Sequence, residues 1–256
     1  MTGSTLSAQV HPDRATLGRA AAVAVAQAMR ERLSRQSGLR MVFAAAPSQS
    51  DMLRALAAEP DLDWGRVTAF HMDEYLGLPS GAPQRFGHWL RRELFDRVRL
   101  GRIHLLEPGP DPELTARDYA AELAAAPVDL VCLGIGENGH LAFNDPPVAD
   151  FADPLDVKVV DLDEACRRQQ VADGCFAALD QVPRRALTLT VPRLLAADRL
   201  FCVVPGGRKR EAVRRALLGP IGPQCPATAL RGHPDCTLFL DGESAAGLPQ
   251  GLRHDV

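Results

Sequence analysis

Two short stretches of this sequence concentrate side chains that can move protons. The first is His71-Met72-Asp73-Glu74-Tyr75, where two carboxylates follow the apolar run Val67-Thr68-Ala69-Phe70. A carboxylate held in a cleft at a strand end can abstract a carbon-bound proton beside a carbonyl. Neighbouring side chains of an extended chain point to opposite faces, so only one of Asp73 and Glu74 is expected to enter a given pocket. The other is left to pair with a base or a backbone amide. The same pair also reads as a solvated turn ahead of Gly77 and Pro79.

The second stretch is Gly134-Ile135-Gly136-Glu137-Asn138-Gly139-His140, with Asp145 five residues beyond the histidine. An imidazole shuttles protons near neutral pH. Asp145 is placed to orient that ring or to hold it as the imidazolium, and Asn138 can supply a further hydrogen bond. Gly136 and Gly139 allow a sharp turn and close approach of backbone to ligand. A histidine that merely caps a turn fits the same residues. The run also matches the GxGxxG dinucleotide pattern, which should open a helix. Here Pro146 and Pro147 leave room for less than two helical turns. No nicotinamide or flavin site is therefore expected, and the Walker phosphate pattern is absent.

Anion handles lie elsewhere. Gly206-Gly207-Arg208-Lys209 begins a helical run. A helix start offers unpaired amides and a positive dipole end, to which Lys209 adds a full charge. Ser48 and Gln49, after Ala46-Pro47, bring a hydroxyl and an amide to another helix start. Arg167 and Arg168 are further cationic candidates. Each of these basic residues also fits a solvated helix face.

The elements that must position these groups can be read from periodicity. Helices are expected over 13–36, 50–58, 85–98, 111–125, 163–179 (weakened at Gly174) and 206–218. Strands are expected over 41–46, 67–70, 102–106, 128–133, 157–160, 186–190, 200–204 and 237–240. The alternation predicts an α/β fold with a mostly parallel central sheet and helices on both faces. The reading is a single domain over 13–256, preceded by a polar, poorly ordered N-terminus over 1–12. Ligands of such sheets bind beyond the carboxyl ends of the strands. The segments 47–49, 71–75, 134–145 and 205–209 all lie there.

Composition narrows the function. The 256 residues carry a formal net charge of −3, which argues against a nucleic-acid or membrane-surface partner. The apolar share is 46% and the aromatic share only 5%, so the core must be built from Ala, Leu and Val. The six cysteines form no CxxC pair and read as reduced, buried thiols. His104 and His233 are isolated, so no metal site is expected. There is no signal-peptide layout and no apolar run approaching about 18 residues, so a cytoplasmic enzyme is the expectation.

Four segments then fall into a familiar order. The segment from His71 to Pro79 (HMDEYLGLP) resembles the MDEYxGLP motif of glucosamine-6-phosphate deaminases. The segment from Gly134 to Pro146 (GIGENGHLAFNDP) resembles their GIGxxGHIAFNEP loop. Ala186-Leu187-Thr188 and 206–209 resemble their later ALT and GxxKA segments. The likeness runs from about residue 15 to 245.

The resemblance implies the sheet-and-helix fold shared with 6-phosphogluconolactonases. It also implies conversion of glucosamine 6-phosphate to fructose 6-phosphate and ammonia, with no metal or organic cofactor. By carry-over, Asp73 takes the C2 proton, and His140 drives ring opening with Asn138 and Asp145. Lys209 with Ser48 and Gln49 holds the phosphate. Glu74, Gly136, Gly139 and Arg168 complete the expected binding set. Self-association is compatible, since the family includes monomers and hexamers. Four positions depart from the pattern. Asn138 stands where many members have Asp, and Asp145 where Glu is usual. Ala45-Ala46-Pro47 replaces a glycine-rich loop, and no arginine near Gly174 matches a phosphate ligand. Two rivals remain: a lactonase-like hydrolase, against which the MDEY segment speaks, and a non-catalytic sugar-phosphate sensor, against which Asp73 and His140 together speak.

Overall fold

A computed structural model describes residues 6–255. In chain order the strands are β1 (Ser7–His11), β2 (Leu39–Phe43), β3 (Val67–His71), β4 (Asp73–Tyr75), β5 (Arg102–His104), β6 (Leu130–Leu133), β7 (Val157–Asp161), β8 (Arg185–Leu189), β9 (Arg199–Val204), β10 (Cys236–Asp241) and β11 (His254–Asp255). The α-helices are α1 (Arg14–Leu33), α2 (Ser50–Ala57), α3 (Phe86–Leu90), α4 (Pro112–Ala124), α5 (Glu164–Ala172), α6 (Val191–Leu195) and α7 (Arg210–Leu218). Eight strands form one sheet in the order β11-β1-β10-β9-β6-β2-β3-β5, and every pairing in it is parallel. The remaining three form a small antiparallel sheet, β4-β8-β7.

The central strands β6, β9 and β10 are buried almost throughout. A strand with both faces covered must be apolar along its length, as Leu-Val-Cys-Leu in β6 is. The helices start where the sequence supplies caps. Asp13 accepts from the Thr16 amide at α1, Asp111 from those of Glu113 and Leu114 at α4, and Asp163 from that of Ala165 at α5. Gly18 allows α1 to press onto α2: a Cβ there would come within 2.7 Å of the Asp51 Cβ.

The short elements β4, α6 and β11 are not among those expected, and sequence and structure differ further at three places. The segment 1–12 is not uniformly disordered. Residues 1–5 lie outside the described set, but Ser7–His11 is a strand wedged between β10 and β11. Ala8 and Val10 face the core there, an alternation too short to stand out among polar residues. The expected helix over 85–98 is α3 followed by a wider π-turn, Arg91–Phe95. The expected helix over 163–179 stops at Ala172, because Gly174 adopts φ +75° and the Cys175 amide returns to the Gln170 carbonyl.

The chain leaves the large sheet after His71 and enters the small one at Asp73, so the two carboxylates part company. Glu74 turns inward and is buried. It accepts from the amides of Tyr75 (2.9 Å), Phe86 (3.1 Å) and Gly87 (3.0 Å). His71 Nε2 lies 3.8 Å away. Burial pushes the Glu74 carboxyl up, but the His71 contact and the Gly87 and Phe86 amides outweigh it and hold it below its usual value. Glu74 thus fastens α3 to β4. Around it Tyr75 packs on Phe86, Phe143 and Phe176, with ring centroids 4.7, 5.2 and 5.4 Å away.

Replacing Glu74 by Ala is expected to cost about 3 kcal/mol or more, since it strands buried amide donors. Urea unfolding with an unchanged slope checks this. Because the folded value is depressed, the contribution is complete above the ordinary glutamate pKa. It is lost as pH falls through the folded value.

Candidate active site

After β2 the chain runs on to β3 and β5 on one side. After β6 it runs to β9 and β10 on the other. The strand order therefore reverses between β2 and β6, where the diverging loops leave a crevice. The loops following β9, β6, β2 and β3 all contribute to one cleft that is open to solvent. Ser48, Asp73, Gly136, His140 and Lys209 line it together.

The loop after β6 is shaped for its histidine. A Cβ on Gly136 would fall 2.2–2.3 Å from the His140 ring atoms, so only glycine leaves room for the imidazole. Gly139 has φ +92°, and a Cβ there would lie 2.6 Å from Cys225 Sγ. Ala142 holds the left-handed conformation at φ +50°, a strain that the surroundings must over-determine. They do so through the fully buried Asn144, which donates to the carbonyls of Leu141 and Leu189, and through the Phe143 amide, which donates to Thr188 Oγ1.

Asp145 is wholly buried beneath the ring. Its carboxylate accepts from Asn138 Nδ2 at 2.9 Å and from the Asp163 amide, at the α5 start, at 3.2 Å. His140 Nδ1 comes within 3.0 Å of the carboxylate. The approach is oblique and leaves Nδ1 without a well-aligned partner. Burial pushes the Asp145 carboxyl up. The His140 contact, Asn138 and the Asp163 amide together bring it below the usual carboxylate value. Asn138 closes the loop on itself, since its Oδ1 accepts from the His140 amide.

Asp73 is the opposite case. It is 7% exposed, and among the described residues nothing donates a hydrogen bond to its carboxylate. Burial, then the Glu74 charge, push it well above the ordinary carboxylate range. A carboxyl group with a raised pKa and no donors, placed beside a cleft, is a candidate general base. Lys209 is likewise 7% exposed and makes no hydrogen bond or ion pair with the described residues. Burial lowers its pKa. Its ammonium sits at the junction of the 3-10 turn Gly207–Lys209 with α7, where the helix dipole adds to its own charge.

The structure does not bring every expected residue to the cleft wall. Glu74 is spent on α3. Gly139 serves the turn, its carbonyl accepting from Ala227. Arg168 points outward, its side chain 70% exposed and paired with Glu164 one helical turn away. Arg167 donates to the carbonyls of Leu179 and Val182. Gln49 lines the cleft, but its Nε2 is committed to the Val203 carbonyl at 3.0 Å. Gln169 and Gln170 line the cleft unforeseen. The signal was available: Cys166, Gln169 and Gln170 are the buried face of α5, polar where an amphipathic helix is apolar.

A switch-point cleft holding a free carboxylate, a buttressed imidazole and an unpaired lysine defines an α/β enzyme type that handles small anionic molecules by proton transfer. The chain belongs to the family of glucosamine-6-phosphate isomerases and 6-phosphogluconolactonases, whose model matches residues 12–238. Among its relatives is a glucosamine-6-phosphate deaminase of an Exiguobacterium species, 36% identical over 195 residues, 75% of this chain and 74% of the other. A glucosamine-6-phosphate deaminase of Bacillus cereus is 35% identical over 184 residues, 72% of this chain and 68% of the other.

A monomeric glucosamine-6-phosphate deaminase of known structure superposes with a TM-score of 0.86. It is 27% identical, over 94% of this chain and 99% of that one. The 6-phosphogluconolactonase of Thermotoga maritima shares the fold, with a TM-score of 0.74 at 20% identity over 91% of this chain and 99% of that one. No described helix is long and apolar enough to cross a membrane.

Lys209→Ala should weaken inorganic phosphate binding about tenfold to a hundredfold, the value of a charge-assisted contact. Arg168→Ala should leave it unchanged. Calorimetric titration checks both.

Proposed function

We propose that this chain is a cytoplasmic glucosamine-6-phosphate deaminase, a single-domain enzyme that takes a small amino-sugar phosphate and uses no cofactor. The observation that carries the reading is the pairing of an unpartnered, basic Asp73 with a buttressed His140 across one cleft. The family relationship supports it, as does the superposition on the monomeric deaminase.

Lys209 and Ser48 hold the phosphate and so place the sugar carbons over Asp73. His140, with Asp145 and Asn138 behind it, moves the C1 hydroxyl proton to the ring oxygen and opens the ring. Asp73 removes the proton from C2 and returns it to C1, which converts the C2 amine into an imine. Water adds at C2, ammonia leaves, and fructose 6-phosphate remains. A lone carbon-acid base is what this isomerisation requires. Lactone hydrolysis forms and breaks bonds only at an acyl carbon and has no use for one.

The folded protein should release ammonia and fructose 6-phosphate in equal amounts from glucosamine 6-phosphate. Absence of both, with turnover of a 6-phospholactone instead, would replace the assignment. Asp73→Asn should abolish solvent exchange of the C2 proton, lowering kcat by about a thousandfold or more while KM changes little.

The pH profile follows from the two buried groups. Asp73 acts only when ionised, so kcat/KM rises with pH through a value above the ordinary carboxylate range. Lys209 binds only when protonated, so KM climbs at alkaline pH sooner than an ordinary lysine would dictate. A profile with its acid limb at the usual carboxylate position would remove Asp73 from this role.

A further inference from the structure

One buried group beside the imidazole has no part in the proposed chemistry. Cys166, in the first turn of α5, is 1% exposed, and its thiol lies within 4.8 Å of the Asp145 carboxylate. A ring nitrogen of His140, a carboxylate oxygen of Asp145 and Cys166 Sγ all lie within 4.8 Å of one another. His140 Nδ1 is buried here without a well-aligned partner. We propose that His140, Asp145 and Cys166 form a latent site for a borderline or soft divalent cation, of the Zn²⁺ or Cd²⁺ class, whose occupation shuts down the acid–base loop.

The donor set fits that class and no harder one. Imidazole, carboxylate and thiolate suit zinc and cadmium, whereas magnesium and calcium demand several oxygens. Donors around one tetrahedral zinc stand roughly 3.4–3.6 Å apart, so modest side-chain rotations close the observed set. Charge also balances: carboxylate and thiolate cancel the dication, so the buried site ends neutral and avoids an unpaired charge. Of the three ligands His140 alone lines the cleft, so the ion would enter past its ring.

In the resting protein burial and the Asp145 charge push the Cys166 thiol well up. The sulfur is therefore a thiol until the metal arrives. Binding breaks the S–H bond and forms the metal–sulfur bond, and the proton leaves to solvent. The imidazole keeps its own proton on the nitrogen that the metal does not take. The ion is an inhibitor and not a resident cofactor, because it occupies the groups that must move protons. Only this inhibitory consequence rests on the proposed deaminase activity; binding does not.

Cadmium titration of the full chain tests the site through the ultraviolet thiolate-to-cadmium absorption. Wild type should develop the band and saturate at a single ion per chain, whereas Mg²⁺ should not compete. Cys166→Ser should abolish the band, while Cys175→Ser, which removes a half-buried thiol elsewhere, should retain it. His140→Ala leaves α5 intact and should weaken cadmium binding at least about tenfold, so the proposal stays testable if Cys166→Ser fails to fold.

Asp73→Asn should keep the band while losing activity, which separates failure of the metal site from failure of the enzymatic reading. Zn²⁺ should inhibit wild type reversibly by chelator, and Cys166→Ser should resist at least about tenfold more Zn²⁺. No band in folded wild type, a band surviving in folded Cys166→Ser, or unchanged affinity in His140→Ala would each overturn the proposal.

Discussion

A buried charge must be surrounded by donors, and in this molecule the wholly buried carboxylate of Asp145 imposes that demand on the active loop. It gathers the Asn138 amide, the imidazole of His140 and the backbone at the head of α5. Each donor belongs to a segment that would otherwise be free to drift. The loop after β6 cannot open without stranding the charge, and α5 cannot slide away from it. The loss of one methylene relative to the family's usual glutamate is met from the protein's side: the Asp163 amide and the ring both come within reach of the shorter side chain.

Asp73 and Glu74 show the same physics with opposite outcomes. Adjacent in sequence and both buried, they differ in donors. Glu74 has three backbone amides, and Asp73 has none among the described residues. The first is thereby held as a charge, and the second is pushed toward its neutral form. The cations around the cleft repeat the contrast. Arg168 and Arg208 are tied to carboxylates, Arg208 to Glu137 and Asp173, whereas Lys209 is left unpaired. Among the described residues that line the cleft, Lys209 is the uncommitted cation.

The strand-end rule made much of this visible from the residues. Runs such as those of β6 and β9 are apolar enough to be recognised, and the segments after them hold Asp73, His140 and Lys209. What the residues could not show was partnership. Nothing in the order of residues tells which carboxylate of an adjacent pair will find amides, because the amides of Phe86 and Gly87 come from a distant turn. Arg168 looked like an anion ligand because its charge is legible and its direction is not. Gln169 and Gln170 were overlooked because amides carry no strong expectation, although their burial on α5 follows its periodicity. β1 escaped because its alternation is short and its partners are remote.

That remoteness has a cost during synthesis. Ser7 lies opposite Thr237 and Gln9 opposite His254, so β1 pairs only with strands from the far end of the chain. On the ribosome this segment has no sheet to join until residues 236–241 have emerged. Closing so long a loop is entropically slow. Until then the flank of β10, a strand buried along its whole length in the folded protein, lies open to strand exchange with other nascent chains.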